Sequence, residues 1–268
     1  MFIQNSYRFG GAVESLLLDT YTGAAAAYSL RKLRTGVTNV VRVRRSNDNA
    51  EQNFTPIEIT DGTLTTFTGS NDGFITIWYD QSGNSVNAVQ STAGNQPRLV
   101  LTGVLNTDNG KPFIYYDGTN FKLTASSTGL SNSVGTFFTT YNSNDTGNGM
   151  LMGSSSGNYA GVMQNGNLND PNQNVGAPSY YKNGNLITPT RDVLFDNYVV
   201  NQDVLVSSFE LNFSNNNNTW GTSLEPFVYT SNSFSAICKA KEFIVYNNDQ
   251  TLNKAGIESN INAYYSIY

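Results

Sequence analysis

From Asp19 onward the chain reads as about a dozen short strand-like runs separated by clusters of Gly, Asn, Asp and Ser. The runs are 27–34, 39–45, 63–67, 73–79, 98–104, 112–116, 134–141, 149–153, 159–163, 192–199, 203–211, 224–229 and 238–246. Several alternate apolar and polar residues with period two, as in Phe74-Ile75-Thr76-Ile77-Trp78 and Asp203-Val204-Leu205-Val206-Ser207. Period two places one apolar face on a core. Asn109-Gly110, Asn165-Gly166, Asn183-Gly184 and Asp117-Gly118 supply the positive-φ pairs that tight hairpins need. This spacing predicts an all-β fold, two antiparallel sheets stacked as a sandwich. The exception is 251–265, where Leu252, Ile257, Ile261, Tyr264 and Tyr265 recur at helical spacing behind Asp249 or Thr251 as N-cap, predicting a short C-terminal helix.

The composition fits this reading. Charged residues make up 13% of the 268, aromatics 12%, with 24 Gly, which is a vocabulary of strands and turns. Residues 1–18 read as a lead whose Leu16-Leu17-Leu18 docks on the core or on a partner, and 19–268 as one domain without a Pro-rich or charged linker. The stretch 165–185 and the Asn run near 215 read as long surface loops.

Several function classes are disfavoured. A net charge of −5 argues against nucleic acid, whose phosphates call for concentrated basic surface. The basic run Arg42-Val43-Arg44-Arg45 alternates with Val41 and Val43 and reads as an edge strand with a solvated charged face. With no histidine there is no His-based triad and no His-ligated zinc. Cys238 is the single cysteine, so no internal disulfide forms; its apolar setting reads as a core thiol. The N-terminus lacks the pattern of a signal peptide, and no apolar run approaches the ~20 residues of a membrane span.

The densest tract is Ile77-Trp78-Tyr79-Asp80-Gln81-Ser82-Gly83-Asn84, followed by Gln96-Pro97-Arg98 and Tyr115-Tyr116-Asp117-Gly118. It resembles the concanavalin-like, laminin-G type jelly-roll sandwiches. Asp19-Thr20-Tyr21-Thr22-Gly23, Ala27-Tyr28-Ser29-Leu30-Arg31 and Val41-Arg42-Val43-Arg44-Arg45-Ser46, with Asp48, Ala50 and Glu51, resemble the N-terminal half of the arabinofuranosidase-B catalytic-domain-like family. The 78–84 tract continues that likeness. The end, Glu242-Phe243-Ile244-Val245-Tyr246-Asn247 into Ile257-Glu258-Ser259-Asn260-Ile261-Asn262, is similar to the closing strand and helix of such domains in bacteriophage proteins. The resemblance covers 16–125 and 236–268.

The resemblance implies a carbohydrate-type scaffold, and in the enzymes two carboxylates about 5 Å apart for a retaining mechanism. The stretch where the resemblance puts the nucleophilic Glu, Thr128 to Gly135, holds no acid; the next downstream is Asp145. The cysteines of the enzymes are missing too. The expectation is therefore a non-catalytic virion surface protein: a head or tail fibre or decoration protein, oligomeric, touching capsid, portal, tail or fibre neighbours and adhering to host-surface glycan. The alternative is a glycoside hydrolase of the arabinofuranosidase type acting on polysaccharide. Glycan-binding candidates are Trp78, Trp220, Asp80, Asn84 and Asp117. Trp78 is a stacking platform or a core residue, and Trp220 the better exposed aromatic at a loop tip. Asp80 and Asp117, with Asn84, are candidate calcium ligands or turn formers.

Overall fold

The computed structural model describes residues 15–144, 148–155, 158–166, 175–214, 220–229 and 234–268. It opens with helix α1 (Leu17–Thr20), strands β1 (Ala24–Ser29), β2 (Val41–Arg45) and β3 (Glu51–Phe54), helices α2 (Pro56–Thr60) and α3 (Thr63–Thr68), and β4 (Gly73–Trp78). Short strands follow: β5 (Ala88–Val89), β6 (Arg98–Leu101), β7 (Val104–Leu105), β8 (Thr107–Asp108), β9 (Lys111–Pro112), β10 (Ile114–Asp117) and β11 (Thr124–Ser126). The second half holds β12 (Gly135–Ser143), β13 (Gly149–Gly153), β14 (Tyr159–Met163), β15 (Ser179–Lys182), β16 (Asn185–Ile187), α4 (Arg191–Tyr198) and β17 (Asp203–Leu211). It closes with β18 (Ser223–Pro226), β19 (Val228–Tyr229), β20 (Phe234–Ser235), β21 (Ile237–Tyr246) and α5 (Lys254–Tyr265).

The strands form an antiparallel sandwich. One layer runs β16-β15-β17-β12-β21, and the far edge of β21 is shared by β1 along its C-terminal half and β10 along its N-terminal half. The other runs β3-β2-β4-β5-β11-β18-β13-β14. Strand β6 joins them, because Arg98 pairs with both Tyr115 on β10 and Phe74 on β4. Between the layers lies the main core, with Val41, Val43, Ile75 and Trp78 from one side and Phe137, Tyr141, Val206, Phe243 and Val245 from the other.

The first layer is buried on both faces. Its outward residues Phe138, Leu205, Ile244 and Tyr246 pack under Leu17 and Leu18 of α1 and Ile257, Ile261 and Tyr265 of α5. That is why β12 is buried at every position, Thr136, Thr139 and Thr140 included. Leu17 and Leu18 of the expected lead thus dock on this domain; residues 1–14 lie outside the described residues.

Three expectations are corrected. Segments 63–67 and 192–199 are helices, α3 and α4. In each, buried residues stand four apart, Leu64 with Thr68 and Leu194 with Tyr198, so one helical face meets the core despite strand-forming side chains. Strand β2 is interior, flanked by β3 and β4, and its arginines are engaged: Arg44 is buried against Gln96 and Asn49, and Arg42 pairs with Glu51. Among the described residues no helix is long and apolar enough to cross a membrane.

Candidate functional site

The tract leaving β4 is tied down residue by residue. Asp80 Oδ1 accepts the amides of Ala27 and Ser82, each at 2.9 Å, while Oδ2 accepts Ser82 Oγ at 2.7 Å and the Val86 amide at 3.1 Å. Gln81 is buried and bridges the carbonyls of Ser29 and Arg31 to the Leu33 amide. Asn84 Nδ2 donates to the carbonyls of Ala24 and Ala25, both at 3.0 Å. Asp80, Gln81 and Asn84 thereby clamp the tract to β1 and to the loop that follows it.

Two clefts flank this clamp. One, of about 540 Å³, lies between the loop 34–39 and the tract 79–87, and presents Arg34, Thr35, Thr38, Asn39, Tyr79 and Asn87. The other, of about 310 Å³, lies between Thr22–Ala24 and Ser82–Asn84, and shares Arg34 and Gly83 with the first. Arg34 is held upright between them by a 2.9 Å bond from Nη1 to the Ser82 carbonyl. Asp19 supports the same loop: its carboxylate accepts Thr35 Oγ1 at 2.5 Å and the Thr35 amide, and these bonds hold it below the ordinary aspartate pKa. The clefts offer hydroxyl, amide and guanidinium donors, the groups that read sugar hydroxyls. The carboxylate lining the first cleft, Asp80, already accepts four hydrogen bonds.

The sequence-derived candidates do not converge. Asp80 and Asn84 border the clefts from below, as clamps. Trp78 has no exposed surface and packs on Tyr28, ring centroids 5.6 Å apart. Trp220, expected at an exposed loop tip, is fully buried against Phe213 at 5.9 Å, so neither indole is open to a sugar ring. Asp117 closes its own turn: Oδ1 accepts the amides of Thr119, Asn120 and Phe121 at 2.9 Å, and Oδ2 accepts Thr119 Oγ1 at 3.0 Å. Burial acts to raise its pKa, but those bonds outweigh it and hold the carboxyl below its ordinary value. Calcium does not fit these residues. Asp80 and Asp117 stand on separate turns with their lone pairs already taken by N–H and O–H donors, and among the described residues no three His, Cys, Asp or Glu side chains gather for a metal.

The outer face of the second layer carries a row that sequence alone does not assemble. Register sets Asn53, Arg42, Ile77, Val89 and Thr124 side by side. Ala125 pairs with Leu224, which puts Glu225 opposite Thr124, and Glu225 pairs onward with Gly153. A cleft of about 530 Å³ follows this row, with Ile77 and Val89 as its floor and Arg42, Glu51, Lys122 and Thr124 around it. Glu225 is buried at its end and accepts Thr124 Oγ1 at 3.0 Å. Glu51 is a second carboxylate of this face, bonded to Arg42 at 2.6 Å and to Thr76 Oγ1 at 3.3 Å. From Thr76 on β4 to Glu225 on β18 is three inter-strand steps, roughly 14 Å, against the ~5 Å of a retaining pair and the ~6.5–9.5 Å of an inverting one. Of the remaining acids, Asp48 pairs with Arg45 at 2.6 Å, Asp192 and Asp196 stand one turn apart on α4, and Asp145 lies outside the described residues.

No family model matches the chain, and no curated protein matches it. Solved structures do. The fold is similar to a Glu-to-Gln mutant of a GH54 α-L-arabinofuranosidase soaked with 4-nitrophenyl α-L-arabinofuranoside, with a TM-score of 0.61 at 13% identity. It is similar also to an arabinofuranosidase complexed with arabinofuranosyl-α-1,2-xylobiose, TM-score 0.59, and to a GH54 α-L-arabinofuranosidase soaked with a cyclic sulfate inhibitor, TM-score 0.56, each again 13% identical. In all three, 91% of this chain is covered but only 64% of the other, so the chain spans less than two thirds of those enzymes. At this identity the likeness establishes the architecture: the chain has the β-sandwich fold of the GH54 arabinofuranosidases.

Proposed function

We propose that this domain engages carbohydrate, gripping a polysaccharide in the polar clefts beside the 78–84 tract without cutting it. The observation that carries this is the pairing of a wall of hydroxyl, amide and guanidinium donors with the single carboxylate there, Asp80, locked by four hydrogen bonds. Such a surface suits sugar hydroxyls, and among the described residues that line it there is no acid pair for glycosidic chemistry. Affinity electrophoresis in gels containing arabinan or arabinoxylan tests it. Retardation without release of arabinose is the expected result, and unretarded migration in every polysaccharide overturns it.

A second reading is hydrolysis of arabinofuranosides. The three solved neighbours favour it, since all are arabinofuranosidases, and they speak for it more directly than for any particle. The residue on which it rests is Glu225, buried beside Thr124, which lines the cleft along Ile77 and Val89. Release of nitrophenol from 4-nitrophenyl α-L-arabinofuranoside, abolished by Glu225→Gln, would establish this reading in place of the first.

The biological setting we propose is the surface of a bacteriophage virion, on the resemblance of the closing segment 236–268 to bacteriophage proteins. There the domain serves as a fibre or decoration protein, oligomeric and attached to capsid, portal or tail neighbours. Co-sedimentation of the chain with intact particles tests it; its consistent absence from purified particles rejects it.

A further inference from the structure

The hairpin of β8 and β9 presses Asp108 and Asn109 onto the outer face of the first layer, where they meet the side chains of Asn142, Asp203, Lys239 and Lys241. Lys241 is the extra residue of a β-bulge, since Thr140 pairs with Glu242 while the next residue, Tyr141, pairs with Ala240. The bulge turns an ammonium into a site where it has no solvent exposure. Its Nζ hydrogen-bonds Asp203 Oδ2, whose side chain is 3% exposed, and lies 3.5 Å from Asp108 Oδ2. Asn109 Nδ2 donates to Asp203 Oδ2 at 3.1 Å, and Asn142 Nδ2 to Asp108 Oδ2 at 2.9 Å. Among the described residues Asp203 Oδ1 is buried without a hydrogen-bond partner. The ring of Tyr265 closes the far side, 5.9 Å from Lys241 Nζ.

From this arrangement we propose that Lys241 and Asp203 condense spontaneously to an intramolecular isopeptide bond, with Asp108 as the proton shuttle. The parts required are an amine and a carboxyl in contact, removed from water, and a second carboxyl within reach of the same nitrogen. All three are on this face. The first step moves one proton from Lys241 Nζ to Asp203 Oδ2, the oxygen it touches, and leaves a neutral amine beside a carboxylic acid. The Nζ lone pair then attacks Cγ. Oδ1 becomes the carbonyl oxygen, while Asn109 Nδ2 donates to the departing Oδ2. Asp108, 3.5 Å from Nζ, takes the second proton from nitrogen and delivers it to Oδ2, which leaves as water. One C–N bond forms, one C–O bond breaks, and one water leaves; ammonium plus carboxylate become amide plus water, with no redox partner. Burial acts to raise the Asp108 pKa, but bonds from Lys239 and Asn142 and the charges of Lys241 and Lys239 outweigh it and lower it, and the Lys239 and Asn142 bonds remain once the Lys241 amine is neutral. The product would join β17 to β21 across β12, a cross-link in a chain that has a single cysteine.

The test is the intact mass of the full chain under denaturing conditions, followed by a tryptic map. The expected mass is one water below that of the sequence, with Lys241 resistant to trypsin and a branched peptide joining the segments that hold Lys241 and Asp203. Asp108→Asn is expected to restore the full mass with both reacting residues in place. A full-mass wild-type chain cleaved after Lys241 overturns the proposal, and so does a water loss that maps to a succinimide elsewhere. The wild-type measurement decides the matter whether or not the variant folds, and it is independent of any glycan.

Discussion

Arg31 forks onto Glu242, with Nε 2.7 Å from Oε2 and Nη2 3.0 Å from Oε1, at a point where Glu242 is fully buried. The pair is a junction of three elements. Glu242 lies on β21 and also accepts Ser29 Oγ of β1 at 2.8 Å, while Arg31 Nη1 reaches Asn260 of α5 at 2.9 Å and its guanidinium lies 4.9 Å from the centre of the Tyr264 ring. Burial alone would lower the arginine pKa, but the Glu242 charge and hydrogen bond outweigh it and raise it, so the guanidinium stays charged. Arg31→Ala leaves a buried carboxylate without its cation, and the expected loss is about 3–5 kcal/mol in a urea titration. Replacing both partners with apolar residues, Arg31→Met with Glu242→Leu, is expected to restore most of that stability. A single variant that unfolds at the wild-type urea concentration would show the junction to be dispensable.

Stability should form a broad plateau in pH. The chain has no histidine, so no imidazole charge changes between pH 5 and 8. Asp108 and Asp117 are held below their ordinary values, and Asp48 falls to about 2 through its bonds to Arg45 and the Ala50 amide. A carboxyl with a depressed folded pKa contributes stability that is present above the unfolded value of about 4 and is lost as pH falls below it. At the other end, burial raises Tyr28, Tyr116, Tyr141, Tyr198 and Tyr265 well above the ordinary phenol. Their contribution is complete below about pH 10 and is lost above it, because the unfolded chain ionises first. Thermal midpoints measured from pH 2 to 11 should stay level from ~5 to ~9 and fall on both sides. A step near pH 6.5 would contradict this assignment.

Both indoles should be invisible to ligand. Trp78 and Trp220 are fully buried, so emission should lie at short wavelength, resist acrylamide quenching, and stay unchanged on adding polysaccharide that the protein binds. Ligand-dependent quenching would put an indole at the binding surface after all.

What the sequence disclosed, and what it withheld, follows from the range of the interactions. Asn109-Gly110 and Asn183-Gly184 do sit at hairpin tips with positive φ, because a two-residue turn is a local matter. Helix α2 was not among the expected elements, although its signal is equally local: Thr55 and Glu58 exchange side-chain and backbone bonds around Pro56. Helix α3 was not legible, since Thr63-Leu64-Thr65-Thr66-Phe67 has strand-forming residues and its helical form is set by where Leu64 and Thr68 meet the core. Trp220 follows a polar run that reads as loop, and only the fold brings Phe213 against it. The row from Arg42 to Glu225 and the cluster of Asp108, Asp203 and Lys241 draw on distant strands, and no spacing rule joins them.

The wall between the two polar clefts gives the sharpest test of where carbohydrate binds. Gly83 has φ of +98°, and a Cβ there would stand 1.8 Å from Arg34 Nη1 and 2.9 Å from Cζ. Gly83→Ala must therefore swing the guanidinium out of its place on the Ser82 carbonyl, at a backbone cost of about 1 kcal/mol for a non-glycine residue in that region. Arg34 is exposed and lines both clefts, so its displacement removes the one cationic donor they share while leaving the core untouched. A lost charge-assisted bond is worth about 1.5–3 kcal/mol, which corresponds to roughly ten- to a hundredfold in affinity. Arg34→Ala should weaken polysaccharide retardation by that factor at an unchanged melting temperature, and Gly83→Ala should match it with a small drop in melting temperature. If both variants bind as the parent does, the carbohydrate is held elsewhere, and the cleft along Ile77 and Val89 becomes the place to mutate next.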